Sequence, residues 1–400
     1  MFSLRRIVVA TCLLLAGVSA AAAQQTKNFT PVDGANLKAR IDNAIAQGKA
    51  NGQSSLFWVA YQFEVRPGVA VDFEIVNDSG AVSWSNDGLS MMSDPRYETR
   101  ELGLFLLFEK ARDSFTRAEV YNLRRDHQFS NYPVYWAGKA TNEESLAYLK
   151  SMVDSTSPEV NRLSDRAAYA LSLHDDARVE AILTEWVKRP APEVIRNRAL
   201  YWLGYTPESQ AKSALLAEIV RNQRESSEAR QQAMSALGMG RAAANLPLLE
   251  NLYETMTSID LKRRALSGIA RNDNHDAAAT YLIGIAQSAP GPSDVVSRAM
   301  NVGRSNYLEL QKSAISALGR IEGEKSLNFL THTLDSSAEV ELQKQAITAI
   351  GRRPKDEAIP ILIRTARDHP KVEVKKLAVQ ILGQTRDQRA TAFLGELLAK

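Results

Sequence analysis

Cysteine is almost absent from this chain of 400 residues, whose only one is Cys12. It lies in an amino-terminal segment that we expect to be removed, so the mature protein would contain no thiol. Disulfide bonds, a cysteine nucleophile and a cysteine-based metal site are then excluded. After this segment the sequence has no apolar stretch long enough to span a bilayer, so stable membrane insertion is not expected.

A strong charge of either sign is also lacking. The 49 lysines and arginines nearly balance the 46 aspartates and glutamates, which gives a formal net charge of +3. Removal of residues 1–23 takes away Arg5 and Arg6 and no acid, which leaves +1. Binding to a phosphate backbone needs a concentrated basic excess, so nucleic acid is not the expected partner.

The first 23 residues have the organisation of a secretory signal peptide. Arg5 and Arg6 form its charged start, Ile7–Val18 is apolar, and Ala21–Ala23 supplies small residues for cleavage before Gln24. The alternative is an uncleaved membrane anchor, for which the apolar run is short. We expect an exported protein, periplasmic or extracellular, and a disulfide-free exported chain favours a bacterial envelope.

Residues 24–140 predict a small α+β domain. The pattern indicates a helix over residues 36–47, ended by Gly48, and then several strands. The strand segments are 56–65, 69–76, 102–108 and 117–123, while 132–136 is either a short strand or a loop. We expect Arg66-Pro67-Gly68 to join the first two strands in a hairpin. The sheet would have about four antiparallel strands, and Ser83–Arg100 would form a long loop.

The remainder of the chain repeats one phrase. Residues 309–319 read ELQKSAISALG, and residues 341–351 read ELQKQAITAIG. The phrase fits seven times, with its last apolar residue, the anchor, at Leu171, Leu203, Leu237, Ile269, Leu318, Ile350 and Leu382. An alanine stands four residues before every anchor, and a glycine follows five of them. We expect the alanines to allow close helix packing and the glycines to end the helix in a left-handed conformation.

A second helix is predicted after each anchor. Twelve or thirteen residues further on stands a leucine, at Leu183, Leu216, Leu249, Leu282, Leu330, Leu362 and Leu394. Neither helix of such a hairpin buries its apolar stripe alone, so neighbouring hairpins must stack. Residues 141–400 therefore predict an all-α α-solenoid. A capping helix over 142–153 would begin it, and an insertion at about 287–309 would interrupt it, with an extra helix at Asp294–Val302.

The pattern A-hydrophobic-x-A-L-G, then a polar loop and A-hydrophobic-P-x-L, resembles the short HEAT repeats related to phycobilin-lyase subunits. The segment EAIPILIRTARDHPKVEVKKLAVQILG is a close match, and the resemblance covers about residues 158–400. It implies an α-solenoid with protein-binding surfaces and only occasionally lyase activity. The front segment, with FWVAYQFEVRPGV and RYETRELGLFLLF, resembles that of secreted bacterial HEAT-repeat proteins and implies no chemistry.

Residues suited to catalysis are few and lack the usual spacings. The five histidines are His127, His174, His275, His332 and His369, with no two at metal-binding spacing. The loops His174–Asp176 and Asp273–Asp276 contain metal-ligand types, and we interpret them as helix caps, with a shared divalent ion as the alternative. Ser209 and Lys212 match a serine–lysine catalytic spacing by chance, without its accompanying elements. We expect no enzyme activity, cofactor or metal.

Two sets of surface residues stand out. Basic residues early in the first helices indicate polar helix faces: Arg196, Arg198, Lys262, Arg263, Arg264, Lys375 and Lys376. Second helices usually line the concave face of HEAT arrays, where residues near the leucine would run from acidic to basic. The predicted partner-binding residues are Glu185, Glu218, Asn251, His332, Arg364 and Arg367. Graded charge favours an extended polypeptide as the partner.

The sequence thus favours a non-enzymatic exported scaffold that binds a protein partner along the solenoid. The alternative is a small-ligand or glycan-binding module in the front domain, which would use Trp58, Tyr61, Trp84 and Tyr97. Such aromatic residues are more often part of a core. A lyase-like enzyme is a third possibility, which no catalytic group in the sequence supports.

Overall fold

A computed structural model describes residues 28–76, 82–85, 90–91, 98–155, 158–189, 193–288 and 302–399. The signal peptide, Cys12, Tyr97 and nearly all of the predicted extra helix lie outside these residues. The chain divides into two compact units between Thr206 and Pro207. The predicted domain boundary at residue 140 therefore stays a prediction, since four of the helices beyond it share a unit with the sheet.

The amino-terminal unit combines short and long strands with helices. Its described strands are β1 Thr30–Pro31, β2 Leu56–Glu64, β3 Val69–Ala70, β4 Phe73–Val76, β5 Val82–Ser85, β6 Ser90–Met91, β7 Glu101–Glu109, β8 Ser114–Asn122 and β9 Val134–Lys139. Its described helices are α1 Leu37–Ala50, α2 Asn142–Asp154, α3 Pro158–Ser172, α4 Arg178–Lys188 and α5 Glu193–Leu203.

The main sheet has five strands in the order β1-β9-β2-β7-β8. Strand β2 pairs antiparallel with β7 along nine residues, and β7 pairs antiparallel with β8. Strand β9 runs parallel to β2 and β1 runs parallel to β9, so the prediction of about four antiparallel strands is wrong at this side. The reason is the connection after β8, which carries the chain across to the free side of β2.

The predicted hairpin between residues 56–65 and 69–76 does not form. Gly68 has a positive φ of 75°, as a turn requires, but β3 pairs with β6 and β4 pairs with β5. Strand β7 is the better partner for β2, because its seven central residues are buried and match β2 along its whole length.

Helix α1 covers one face of the sheet. It begins at its N-cap Asn36, whose side chain accepts a hydrogen bond from the Ala39 amide, and it buries Leu37, Ile41 and Ala44. Gly48 does not end the helix as predicted but lies inside it. A Cβ added there would stand 2.2 Å from the Phe57 ring, so the glycine makes room for an aromatic side chain of the sheet.

The predicted capping helix is α2, and a buried chain of hydrogen bonds connects it to its neighbours. Thr141 and Glu144 form a capping box at its start. Ser145 on this helix lies 3.0 Å from the Tyr61 hydroxyl on β2 and 2.8 Å from Nε2 of His174, which follows α3. The sheet, the capping helix and the first repeat are thereby joined within one unit.

The carboxy-terminal unit contains helices throughout its described residues. They are α6 Gln210–Arg221, α7 Ser227–Met239, α8 Leu246–Thr255, α9 Ile259–Ile269, α10 His275–Gln287, α11 Val302–Leu318, α12 Glu324–Ser336, α13 Val340–Ile350, α14 Lys355–Asp368, α15 Val372–Gln384 and α16 Gln388–Leu398. The predicted fold class, a small α+β part followed by a helical solenoid, is confirmed. No helix of the described ranges is long and apolar enough to cross a bilayer.

The recurring residues are packing residues, as predicted. All seven anchors and the seven alanines that precede them are at most 1% exposed. The leucines of the second helices are fully buried in the first six repeats, whereas Leu394 in the last helix is only half-buried. This exception follows from position, because α16 has no later hairpin within the described chain to cover it.

The glycines after the anchors act differently from the prediction. None of the five has a positive φ, so they do not end helices in the left-handed conformation. Three of them, Gly238, Gly319 and Gly351, instead allow first helices to approach one another. A Cβ on Gly238 would stand 2.7 Å from the Cα of Gly268, and one on Gly319 would stand 2.7 Å from the carbonyl oxygen of Ala349.

Candidate partner-binding surface

The predicted partner-binding residues all lie on second helices. Glu185 is on α4 in the amino-terminal unit, and the others are on α6, α8, α12 and α14 of the carboxy-terminal unit. Each of the six is exposed. Helix geometry explains this for five of them, because the residue two positions after a buried leucine points away from the apolar stripe. Arg367 lies one turn after Arg364 and shares its side of α14.

Glu185 belongs to a network of four charged side chains. Its carboxylate accepts a hydrogen bond from Lys150 of α2 at 3.1 Å and another from Arg189. Asp154 pairs with the same two cations and also accepts a hydrogen bond from the Trp186 indole at 3.0 Å. The bonds from Lys150 and Arg189 lower the pKa of Glu185. Its charge is therefore largely neutralised by neighbours on α2 and α4.

The predicted basic residues of the carboxy-terminal unit are paired in the same way. Arg364 on α14 forms an ion pair with Asp335 on α12 at 3.0 Å. Arg367 lies 3.9 Å from the carboxylate of Glu396 on α16, and its guanidinium lies 5.4 Å from the centre of the Phe393 ring. These contacts cross from one second helix to the next, so they hold adjacent repeats together.

Glu218 differs, because its carboxylate has no hydrogen-bond or ion-pair partner among the described residues. It lines a groove of about 990 Å³ between α6 and α8. Small and apolar side chains form the floor, namely Ala214, Ala217 and Leu248, and Arg221 and Asn222 lie on the rim beside Glu218. Asn251 adjoins this groove by accepting a hydrogen bond from Arg221 at 2.9 Å. An apolar floor with a polar rim is suited to side-chain recognition.

A second cleft lies on the first helices and was not predicted as a site. Arg263, Arg264, Lys312 and Arg320 line it, together with two acids, Asp260 and Glu309. The prediction had assigned Arg263 and Arg264 to a solvated helix face. The sequence did contain a signal here, since Arg271, Arg320 and Arg352 all stand two residues after an anchor in three successive repeats.

One of the two loops with metal-ligand residues, Asp273–Asp276, caps a helix as interpreted, whereas α4, which follows the other loop, has no side-chain cap. Asp176 accepts hydrogen bonds from the backbone and guanidinium of Arg178, which lower its pKa to about 2. Asn274 accepts the Ala277 amide at the start of α10. In the part of the chain that the structure describes, no group of three or more His, Cys, Asp or Glu side chains is placed to hold a metal ion.

Ser209 and Lys212 likewise have structural roles. The Ser209 hydroxyl caps α6 by accepting the Lys212 amide, and the Lys212 ammonium is 1% exposed and donates to the Pro207 carbonyl at 3.0 Å. The front-domain aromatic residues are core where they are described. Trp58 is 3% exposed and Tyr61 is fully buried, whereas the side chains of Trp84 and Tyr97 fall outside the description.

The hairpin geometry and the recurring Ala, Leu and Gly positions define a helical-repeat protein. Residues 332–400 match the family of HEAT repeats. This match covers the last part of the chain, so HEAT repeats are shown for that segment. No curated protein matches its sequence significantly.

The similarity to solved structures is low. Human deoxyhypusine hydroxylase is 16% identical, with 64% of this chain and 90% of that chain covered and a TM-score of 0.30. The complex of CpcE and CpcF of phycocyanin lyase from Nostoc is 15% identical, with 68% and 97% covered and a TM-score of 0.33. Their names denote different activities, and similarity at this level transfers neither activity to this chain.

Proposed function

We propose that this chain is an exported, non-enzymatic scaffold that binds a protein partner through its second helices. The groove between α6 and α8 is the main contact, with Glu218 at its rim. The observation that supports this most strongly is the contrast in pairing. In the part of the chain that the structure describes, the Glu218 carboxylate has no partner beside an apolar floor, while Glu185, Arg364 and Arg367 are held in contacts between neighbouring helices.

The paired residues contribute to binding by keeping the surface in place. Asn251 holds Arg221 at the groove, and the ion pairs at Glu185 and Arg364 fix the helices that carry them. His332 on α12 is exposed, so its ring is available to a partner. Its Nδ1 lies 3.4 Å from the Ser336 hydroxyl on the same helix. A polypeptide lying across the second helices of the carboxy-terminal unit would meet several modest contacts rather than one deep pocket.

A substitution with a matched control tests the proposal. Glu218→Lys reverses charge at the groove, and Glu228→Lys makes the same change on an exposed position of the first helix α7. Each variant would be used to recover partners from the envelope of its own host. We expect Glu218→Lys to lose the partner and Glu228→Lys to retain it. Equal recovery by both variants would refute binding at this groove.

Export is part of the proposal and rests on residues 1–23. The charged start, the apolar run and the small residues before Gln24 are those of a cleaved signal. Mass spectrometry of the protein purified from its host tests this directly. We expect a mature amino terminus at Gln24, and a cytoplasmic protein that retains residues 1–23 would contradict export.

A further inference from the structure

A row of arginines lies on the side of the first helices. Arg271, Arg320 and Arg352 follow α9, α11 and α13 at the same offset from their anchors, and all three are exposed. Successive first helices pack against each other here, since α9 contacts α11 and α11 contacts α13. The sequence repeat therefore places one guanidinium per repeat along one side of the unit.

These arginines contact neutral groups rather than acids. Arg320 donates to the Ser267 hydroxyl at 3.0 Å, and Arg352 donates to the Ser316 hydroxyl at 2.8 Å. Each acceptor is on the preceding first helix. The guanidinium of Arg271 has no hydrogen bond or ion pair within the residues that the structure covers. The second helices differ, because Arg364 and Arg367 are paired with carboxylates.

The cleft beside the row has an uncompensated positive charge. It has a volume of about 430 Å³ and is lined by four cations and two acids. One of the acids, Glu309, is paired with Lys312 at 2.7 Å. Partial burial lowers the pKa of Arg320, and the nearby charges of Arg271 and Arg352 lower it further. An anion bound here would relieve this repulsion.

We propose that this row and cleft bind an acidic segment of a polypeptide. The inference rests on the scaffold function proposed above and adds a second face with a stated partner chemistry. Packed helices are about 8–10 Å apart. A peptide in the polyproline II conformation rises about 3.1 Å per residue with about three residues per turn, so every third side chain would meet an arginine. Guanidinium groups bind carboxylates through paired hydrogen bonds.

The polar lining favours a polypeptide over a uniformly charged polymer. Asp260 and Glu309 stand inside the cleft and would repel a continuous run of phosphates. Ser313, Ser316 and Gln345 provide neutral donors and acceptors that suit a peptide backbone. The formal charge of the whole chain is only +3, which is too small for non-specific binding to a polyanion.

Fluorescence anisotropy of the full mature chain with a labelled peptide that carries glutamate at every third position, with serine and alanine between, tests the proposal. The variant Arg271→Gln with Arg320→Gln removes two charges from the row. The control Arg224→Gln with Arg386→Gln removes two exposed charges of the same unit that line neither the cleft nor the groove. We expect the first pair to weaken binding by about tenfold or more, and the control to weaken it by less than about twofold.

Three results would overturn the proposal. They are no saturable binding of the glutamate peptide, equal weakening by both double variants, and tighter binding of inorganic pyrophosphate or phosphatidylglycerol vesicles than of the peptide. Circular dichroism melting of both variants confirms that each is folded. Failure here leaves the groove proposal intact, because that depends on recovery by Glu218→Lys, which these variants do not alter.

Discussion

Nε2 of His174 lies 2.8 Å from the hydroxyl oxygen of Ser145, and both side chains are at most 2% exposed. The other ring nitrogen is 2.8 Å from the carbonyl oxygen of Ala170, and the ring stacks on Phe63 at 4.6 Å. A serine beside a histidine is a common catalytic pair, but here neither group reaches solvent. The pair is therefore structural and joins the capping helix to the first repeat.

This burial predicts a dependence of stability on pH. It lowers the pKa of His174 from 6.5 to about 4, because the charged imidazole loses its hydration. Between these values the unfolded chain binds a proton that the folded chain does not. The free energy of unfolding should therefore fall as pH falls from about 6.5 to 4, by up to about 3 kcal/mol.

Tryptophan fluorescence during urea unfolding reports on the amino-terminal unit, which contains His174, since all five tryptophans precede residue 207. His174→Gln should lower stability at pH 7.5 and show less loss on going to pH 4.5. The control His275→Gln changes an exposed ring in the other unit. An unchanged pH dependence in His174→Gln would show that other groups cause it.

Close approach of first helices predicts opposite effects for two glycine substitutions. Gly319→Ala would place a Cβ 2.7 Å from the Ala349 carbonyl oxygen and 2.8 Å from its Cβ, and we expect a destabilisation of about 1–3 kcal/mol. Gly383→Ala meets nothing within 4 Å and lies inside α15, so it should stabilise by up to about 1 kcal/mol. Thermal melting by circular dichroism would measure both. Equal effects would contradict the packing role.

Two adjacent arginines should differ in how much each contributes to stability. Arg353 is 5% exposed and donates to the carbonyl oxygens of Ile321 and Gly323, while Arg352 is exposed. Arg353→Met leaves these carbonyls without their donor, and we expect a loss of about 2–4 kcal/mol in stability. Arg352→Met should change stability by about 0.5 kcal/mol or less. Chemical unfolding followed by circular dichroism distinguishes them, and a similar loss in both would count against this assignment.

The pair Arg364 and Asp335 allows a charge swap. Arg364→Asp alone places two carboxylates together and should destabilise the contact between α14 and α12 by about 0.5–1 kcal/mol. Adding Asp335→Arg restores an opposite-charge pair, so stability should return in the double variant. Melting temperatures of the three proteins check this. A double variant no more stable than Arg364→Asp would show that the pair does not hold the helices together.

Local pattern in the sequence was enough to predict the repeats. The anchors, the alanines and the second-helix leucines pack against helices that are near them in the sequence. Their burial confirms the prediction in every repeat, except at Leu394 in the last one. The partners of β2 were harder to predict. Strands β7 and β9 come from distant parts of the chain, and only the fold shows that they flank it.

The partners of the charged side chains likewise could not be predicted from the sequence. Arg364 and Arg352 look alike along the chain, yet one faces Asp335 and the other faces Ser316. The glycines were predicted as helix ends because that is the usual role of glycine after a helix. Their contacts with Gly268 and Ala349 depend on how close successive first helices lie, which no single repeat reveals.

Site-specific photocrosslinking in the host envelope tests the scaffold function most directly. A photoreactive phenylalanine analogue would replace Glu218 at the groove, and in a control protein it would replace Glu228 on α7. We expect a discrete crosslinked product with another polypeptide from position 218 and none from position 228. No product at position 218, or the same products from both positions, would contradict the central claim.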